Sequence, residues 1–148
     1  MGQKEKQVLV SLIASLIIIV FYSLWVFNRY IESNPEIIND LKFWGRSFIV
    51  LIPVAIIAQI VIHILFAIIN KIVTDEDISD KDDERDKLIE LKSLRVSYWV
   101  FIIGFMSAMG AVALGMELWV MFVTLIVSGF LSDLISSVVK IWYYRKGV

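Results

Sequence analysis

Four apolar stretches run from Val8 to Phe27, Phe48 to Ile69, Tyr98 to Leu114 and Leu118 to Val139, separated by polar segments of unequal length. About 20 apolar residues in a helix cross about 30 Å of hydrocarbon. Three stretches meet that length, and the third is slightly short but flanked by aromatic residues. None alternates polar and apolar residues as barrel strands do, and backbone groups in lipid must be bonded internally, so the pattern predicts helices. The expected fold class is all-α: a four-helix transmembrane bundle.

The connectors carry their own signals. Asn34-Pro35-Glu36 joins a capping side chain, a Pro suited to the first helical position and an acid at the positive dipole end, so a helix is predicted to start there. Ile37, Ile38, Leu41 and Trp44 share its apolar face. That piece either lies in the membrane interface or extends span two outward, with Gly45 as a hinge. Gly115-Met116-Glu117 is so short that spans three and four form an antiparallel hairpin.

Composition agrees with a membrane protein: 59% of 148 residues are hydrophobic, and the mean hydropathy is +0.79. The apolar run after Lys4 and Lys6 is too long for a secretion signal and lacks a small-residue cleavage pattern, so it is expected to be retained. Lys6 stands where a myristoylation motif needs Ser or Thr. Lys and Arg number two before span one, three between spans one and two, six between two and three, none in the hairpin and three at the C-terminal end. Alternating compartments therefore hold eleven against three, and the positive-inside rule puts both termini in the cytoplasm. Aromatic residues mark both boundaries: Trp25, Phe27, Tyr30, Phe43, Trp44 and Trp119 the outer one, Tyr98, Trp99 and Trp142 to Tyr144 the inner one.

The cytoplasmic segment, about residues 73–97, holds nine of the chain's fifteen acidic residues. From about Asp82 it turns helical, with Asp82, Asp83, Glu84 and Asp86 leading and Lys87, Lys92 and Arg95 following, as the helix dipole favours. This helix is expected to be continuous with span three. The charge keeps the loop solvated and cytoplasmic. In addition, Asp82, Asp83, Glu84, Arg85 and Asp86 form a candidate surface for a cytoplasmic protein partner. Asp75, Asp77, Ser79, Asp83 and Asp86 fall on ligand positions of a calcium loop, but Asp80 replaces the turn glycine and Asp86 the bidentate Glu, so no metal site is assigned.

Asp83-Glu84-Arg85-Asp86, then Ile89, Lys92, Ser97 and Tyr98, and the terminal Tyr144-Arg145-Lys146-Gly147 resemble a group of small, uncharacterised bacterial four-span integral membrane proteins. Members carry an acidic D-E-R-D-like motif before the third span. The resemblance implies a bacterial inner-membrane location and carries over no functional residue.

Within the spans, Gln59 and His63 lie four apart on one face of span two, beyond Pro53, and span four carries Asp133 among Ser128, Ser132, Ser136 and Ser137. A charged residue at mid-helix costs about 2.5–3.5 kcal/mol on insertion scales, so Asp133 is expected to face the interior or a wet cavity. Counted from Phe48 and Leu118, His63 is level with Asp133; counted from Trp44 and Trp119, Gln59 is. The candidate cluster is therefore Gln59, His63, Asp133, Ser132 and Ser136. It reads either as a proton-titratable site or as hydrogen bonds that hold helices together. Gly104, Ser107, Ala108, Ala111 and Gly115 form a small-residue seam, with Ser128, Ser132 and Ser136 as counterpart, for packing within the chain or between copies.

One His, no Cys and no Gly-rich phosphate loop leave little for enzymology, and Arg46, Lys71 and Lys140 read as snorkelling anchors. The expectation is a non-enzymatic integral membrane protein without cofactor or nucleic-acid partner, a regulatory or partner-binding component acting through its charged cytoplasmic loop. The alternative is a small proton- or cation-linked transporter or channel subunit, which would need a homo-oligomer.

Overall fold

The computed structural model describes residues 2–74 and 83–146, which contain no strand. Four long helices, each long and apolar enough to cross a bilayer, account for most of them. Helix α1 (Gln3–Val26) continues into a π-helical turn (Phe27–Ile31), a 3-10 turn (Pro35–Asn39) precedes α2 (Leu41–Thr74), and α3 (Glu84–Ala113) and α4 (Leu118–Lys146) complete the bundle. The helices outrun the apolar stretches because their polar flanks, such as Lys4 to Gln7, are themselves good helix formers. Asp75, Asp77, Ser79 and Asp82 lie outside the described residues.

Helix α3 starts as its acids dictate and runs without interruption into the third apolar stretch. Asp83 is the N-cap: its Oδ1 accepts from the Glu84 amide at 2.7 Å, and Asp86 Oδ2 accepts from the Asp83 amide at 3.3 Å. The two carboxylates close a reciprocal capping box. At the other end Gly115 takes φ +74°. Gly115 N–H donates to Val112 O and Met116 N–H to Ala111 O, both at 3.0 Å, which completes a Schellman closure. A side chain with a Cβ is strained at that φ, so the tight α3–α4 hairpin depends on this glycine.

The connector between α1 and α2 resolves into two pieces. Pro35 does open a helix, but it is a five-residue 3-10 turn, and the Asn34 side chain makes no capping bond. The chain then extends at Asp40, whose carboxylate accepts from the Lys42 amide at 2.9 Å and caps α2 in its place. Trp44 belongs to α2, so residues 41–44 extend span two, and Gly45 lies inside the helix. The Trp44 indole N–H donates to Ile38 O at 2.7 Å, tying the two pieces together.

Packing is ordered α2, α1, α4, α3, with α1 lying between α2 and α4, α3 packed on α4, and no extended packing between α2 and α3. Trp44 and Phe48 of α2 reach Phe122 of α4 at the end remote from the termini, and the Trp44 ring stacks on Phe122 at 5.4 Å. In the π turn an i→i+5 bond joins Glu32 N to Phe27 O at 2.9 Å. An α-helix would place residues 25 and 30 about 140° apart. The wider turn helps bring Trp25 and Tyr30 into an edge-to-face contact at 5.6 Å, and Tyr30 passes it on to Phe43.

The α3–α4 seam is where the small residues are used. A Cβ on Gly104 would collide with the Ser128 side chain, and Ala108 is completely buried. Ser132 Oγ donates to Ser97 O at 2.9 Å, which leaves the Ser97 hydroxyl to donate to Ser132 Oγ at 2.6 Å. Ser107 turns away: it is exposed and bonds the Ile103 carbonyl of its own helix. Ser128, Ser132, Ser136 and Ser137 are all buried, and the antiparallel register sets Ser136 level with the buried Ser93.

Candidate functional site

The intramembrane cluster is built by three helices. Gln59 Nε2 of α2 donates to Ser15 Oγ of α1 at 2.9 Å, and approaches Ser11 O at 3.5 Å. Ser15 in turn donates its only hydroxyl proton to Asp133 Oδ2 of α4 at 2.9 Å. Both dipoles point their positive ends along the chain toward the carboxylate, as charge-assisted hydrogen bonds require. Two acceptors are left over. Gln59 Oε1 is buried without a partner among the described residues. Asp133 Oδ1 makes no hydrogen bond there, and Asp133 is exposed at the surface of the bundle.

These residues line a cleft of about 350 Å³ whose other walls are apolar, among them Ile18, Ile52, Phe101 and Phe130. α1 and α4 form its floor, while α2 and α3 stand on opposite sides without packing on one another. The cleft thus opens sideways, at the depth of the apolar helices.

Of the residues expected to cluster, Gln59 and Asp133 are brought together, through a serine. His63 is exposed and bonds to neither. Ser132 and Ser136 are buried, and Ser132 faces α3 rather than Asp133. Ser15 is the residue that sequence reasoning missed; Ser11 and Ser15, four apart in an otherwise apolar run, were the available signal.

The charged end, where both termini lie, is a second constellation. Asp86 pairs with Lys4 at 3.9 Å, Glu90 with Lys140 at 3.9 Å and Glu5 with Arg145 at 3.9 Å. Arg85 Nη2 donates to Tyr144 O at 3.3 Å, and Lys92 lies 5.1 Å from the centre of the Tyr143 ring. The acidic motif thus ties the start of α3 to the start of α1 and the end of α4. Each solvated pair contributes about 0–1 kcal/mol. Lys4, Gln7, Asp86, Glu90, Lys140 and Tyr144 line a polar cleft of about 160 Å³ there. Of the candidate partner-binding residues, Asp83 and Asp86 serve the helix cap, Arg85 bonds to α4 and Glu84 is exposed. Among the described residues no three His, Cys, Asp or Glu side chains gather as metal ligands. Comparison with protein-family models, curated proteins and solved structures finds no match to this chain.

Proposed function

We propose that this is a non-enzymatic, multi-pass protein of a bacterial cytoplasmic membrane that binds and passes a proton or cation at Asp133. The supporting observation is the chain Gln59–Ser15–Asp133, which crosses three helices and ends in a carboxylate exposed at an intramembrane cleft. A residue serving only to join helices would be enclosed between them. Intramembrane carboxylates that line a cavity mark ion and proton pathways. Because four helices enclose no path through the bundle, the working unit is a homo-oligomer whose copies meet elsewhere and leave the opening between α2 and α3 toward lipid. Reconstitution tests the reading: proteoliposomes of the full chain carry a proton or cation flux that Asp133→Asn removes, and no flux under any imposed gradient overturns it.

The eleven-to-three distribution of Lys and Arg between alternating segments supports cytoplasmic termini. Reporters fused after Val148 and within residues 75–82 then read cytoplasmic, and one within residues 32–40 reads external. An external C-terminus would reverse the assignment. The acidic motif supports a second reading, recruitment of a basic cytoplasmic protein, through the exposed Glu84. On that reading Glu84→Gln abolishes copurification of the partner; unchanged copurification confines the motif to its role in the fold.

A further inference from the structure

We infer that the ligand of the Asp133 cleft is an organic ammonium ion with an apolar body, entering sideways from the bilayer. The inference rests on the proposed function for the role of Asp133 and adds the class of cation. The polar atom left open to the cleft is an acceptor, Asp133 Oδ1, while Gln59 Oε1 is buried behind it. The complement is a positive group with N–H donors. The rest of the cleft is Ile18, Ile52, Phe101 and Phe130, with almost nothing to replace the hydration shell of an inorganic ion. An ammonium on an apolar body avoids that cost. Its head neutralises Asp133 and donates to Oδ1, while the body fills a volume of about 350 Å³, within the range typical of small-molecule sites. Phe101 and Phe130 in the wall are aromatic, a surface on which cations are favoured. The opening between α2 and α3 lies among lipid-facing side chains such as Ile52 and Ile56, so an amphiphile already dissolved in the membrane reaches the cleft without crossing water.

Dansylcadaverine, a primary ammonium carrying an aromatic body, serves as the probe, added to the full chain in lipid nanodiscs and followed by fluorescence. The expected result is saturable binding, at least tenfold weaker in Asp133→Asn and within threefold of wild type in Asp133→Glu. The N-acetylated probe, which lacks the charge, binds at least tenfold more weakly. Partitioning no different from empty nanodiscs, or equal binding by the acetylated probe or by Asp133→Asn, overturns the inference. If Asp133-dependent proton or sodium flux persists in that case, only the ligand class falls. Saturable, Asp133-dependent probe binding without any flux removes the transport reading and leaves the binding site.

Discussion

Asp133→Asn leaves the bundle assembled and removes at least nine-tenths of the proton or cation flux into proteoliposomes. Asparagine keeps the size of the side chain, and its amide oxygen still accepts from Ser15, so the link between α4 and α1 survives. What disappears is the exchangeable charge. Asp133→Leu makes the contrast sharper. It removes the hydrogen bond from Ser15 as well, a contact that averages about 0.6 kcal/mol in measured membrane cycles, so the Leu variant loses flux together with about that much stability, whereas the Asn variant loses flux alone. Lower stability of Asp133→Leu with flux intact would make Asp133 a structural link only.

Gly104→Leu separates α3 from α4, and Gly104→Ala weakens their packing. A Cβ at this position runs into Ser128, whose hydroxyl is itself held by Thr124 O at 2.5 Å and whose helix cannot retreat without opening the Ser97–Ser132 bonds. Overpacking of this kind costs about 1–3 kcal/mol. Gly110→Ala is the matched control, because nothing lies within 4 Å of its added Cβ and alanine is the better helix former. Ser128→Gly in the Gly104→Ala background recovers most of the loss if the two side chains collide. Denaturant titration of the four variants in micelles reads all of this; equal stability of Gly104→Ala and Gly110→Ala would remove the close contact from the account.

Much of this architecture is legible in the residues. Hydropathy alone marks the four helices, because in a bilayer the apolar run itself must be helical, and Gly115 with its short flanks forces the hairpin that brings the small residues of α3 against the serines of α4. The acids from Asp83 to Asp86 announce a helix start, and the helix starts there. What hydropathy does not encode is lateral order. An all-round apolar helix offers no preferred neighbour, so nothing in the spans says that α1 sits between α2 and α4. Ser15 therefore looks like one tolerated hydroxyl until that order makes it the link between Gln59 and Asp133. Depth was half legible. Counting from Phe48 favoured His63, whereas counting from the Trp44 and Trp119 anchors favoured Gln59, the residue that joins Asp133, because α2 begins at Leu41 and is anchored by Trp44 well before its apolar run. The ion pair of Asp86 with Lys4 joins two positions far apart in the sequence, and no local pattern reports it.

The lateral order also sets a timetable for biosynthesis. Gln59 emerges from the ribosome 44 residues after Ser15, but Asp133 comes 118 residues after Ser15. At about 5–20 residues per second, the Ser15 proton waits on the order of ten seconds for its acceptor. During that interval α1 and α2 can pair through Gln59, but the α1 face meant for α4 meets only lipid. The α3–α4 hairpin follows, and Asp133 is the group on it that the Ser15 hydroxyl meets. The residue proposed to carry the ion in the finished protein thus also helps to set where along α1 the second hairpin comes to rest, together with the pairs of Lys4 with Asp86 and Glu5 with Arg145.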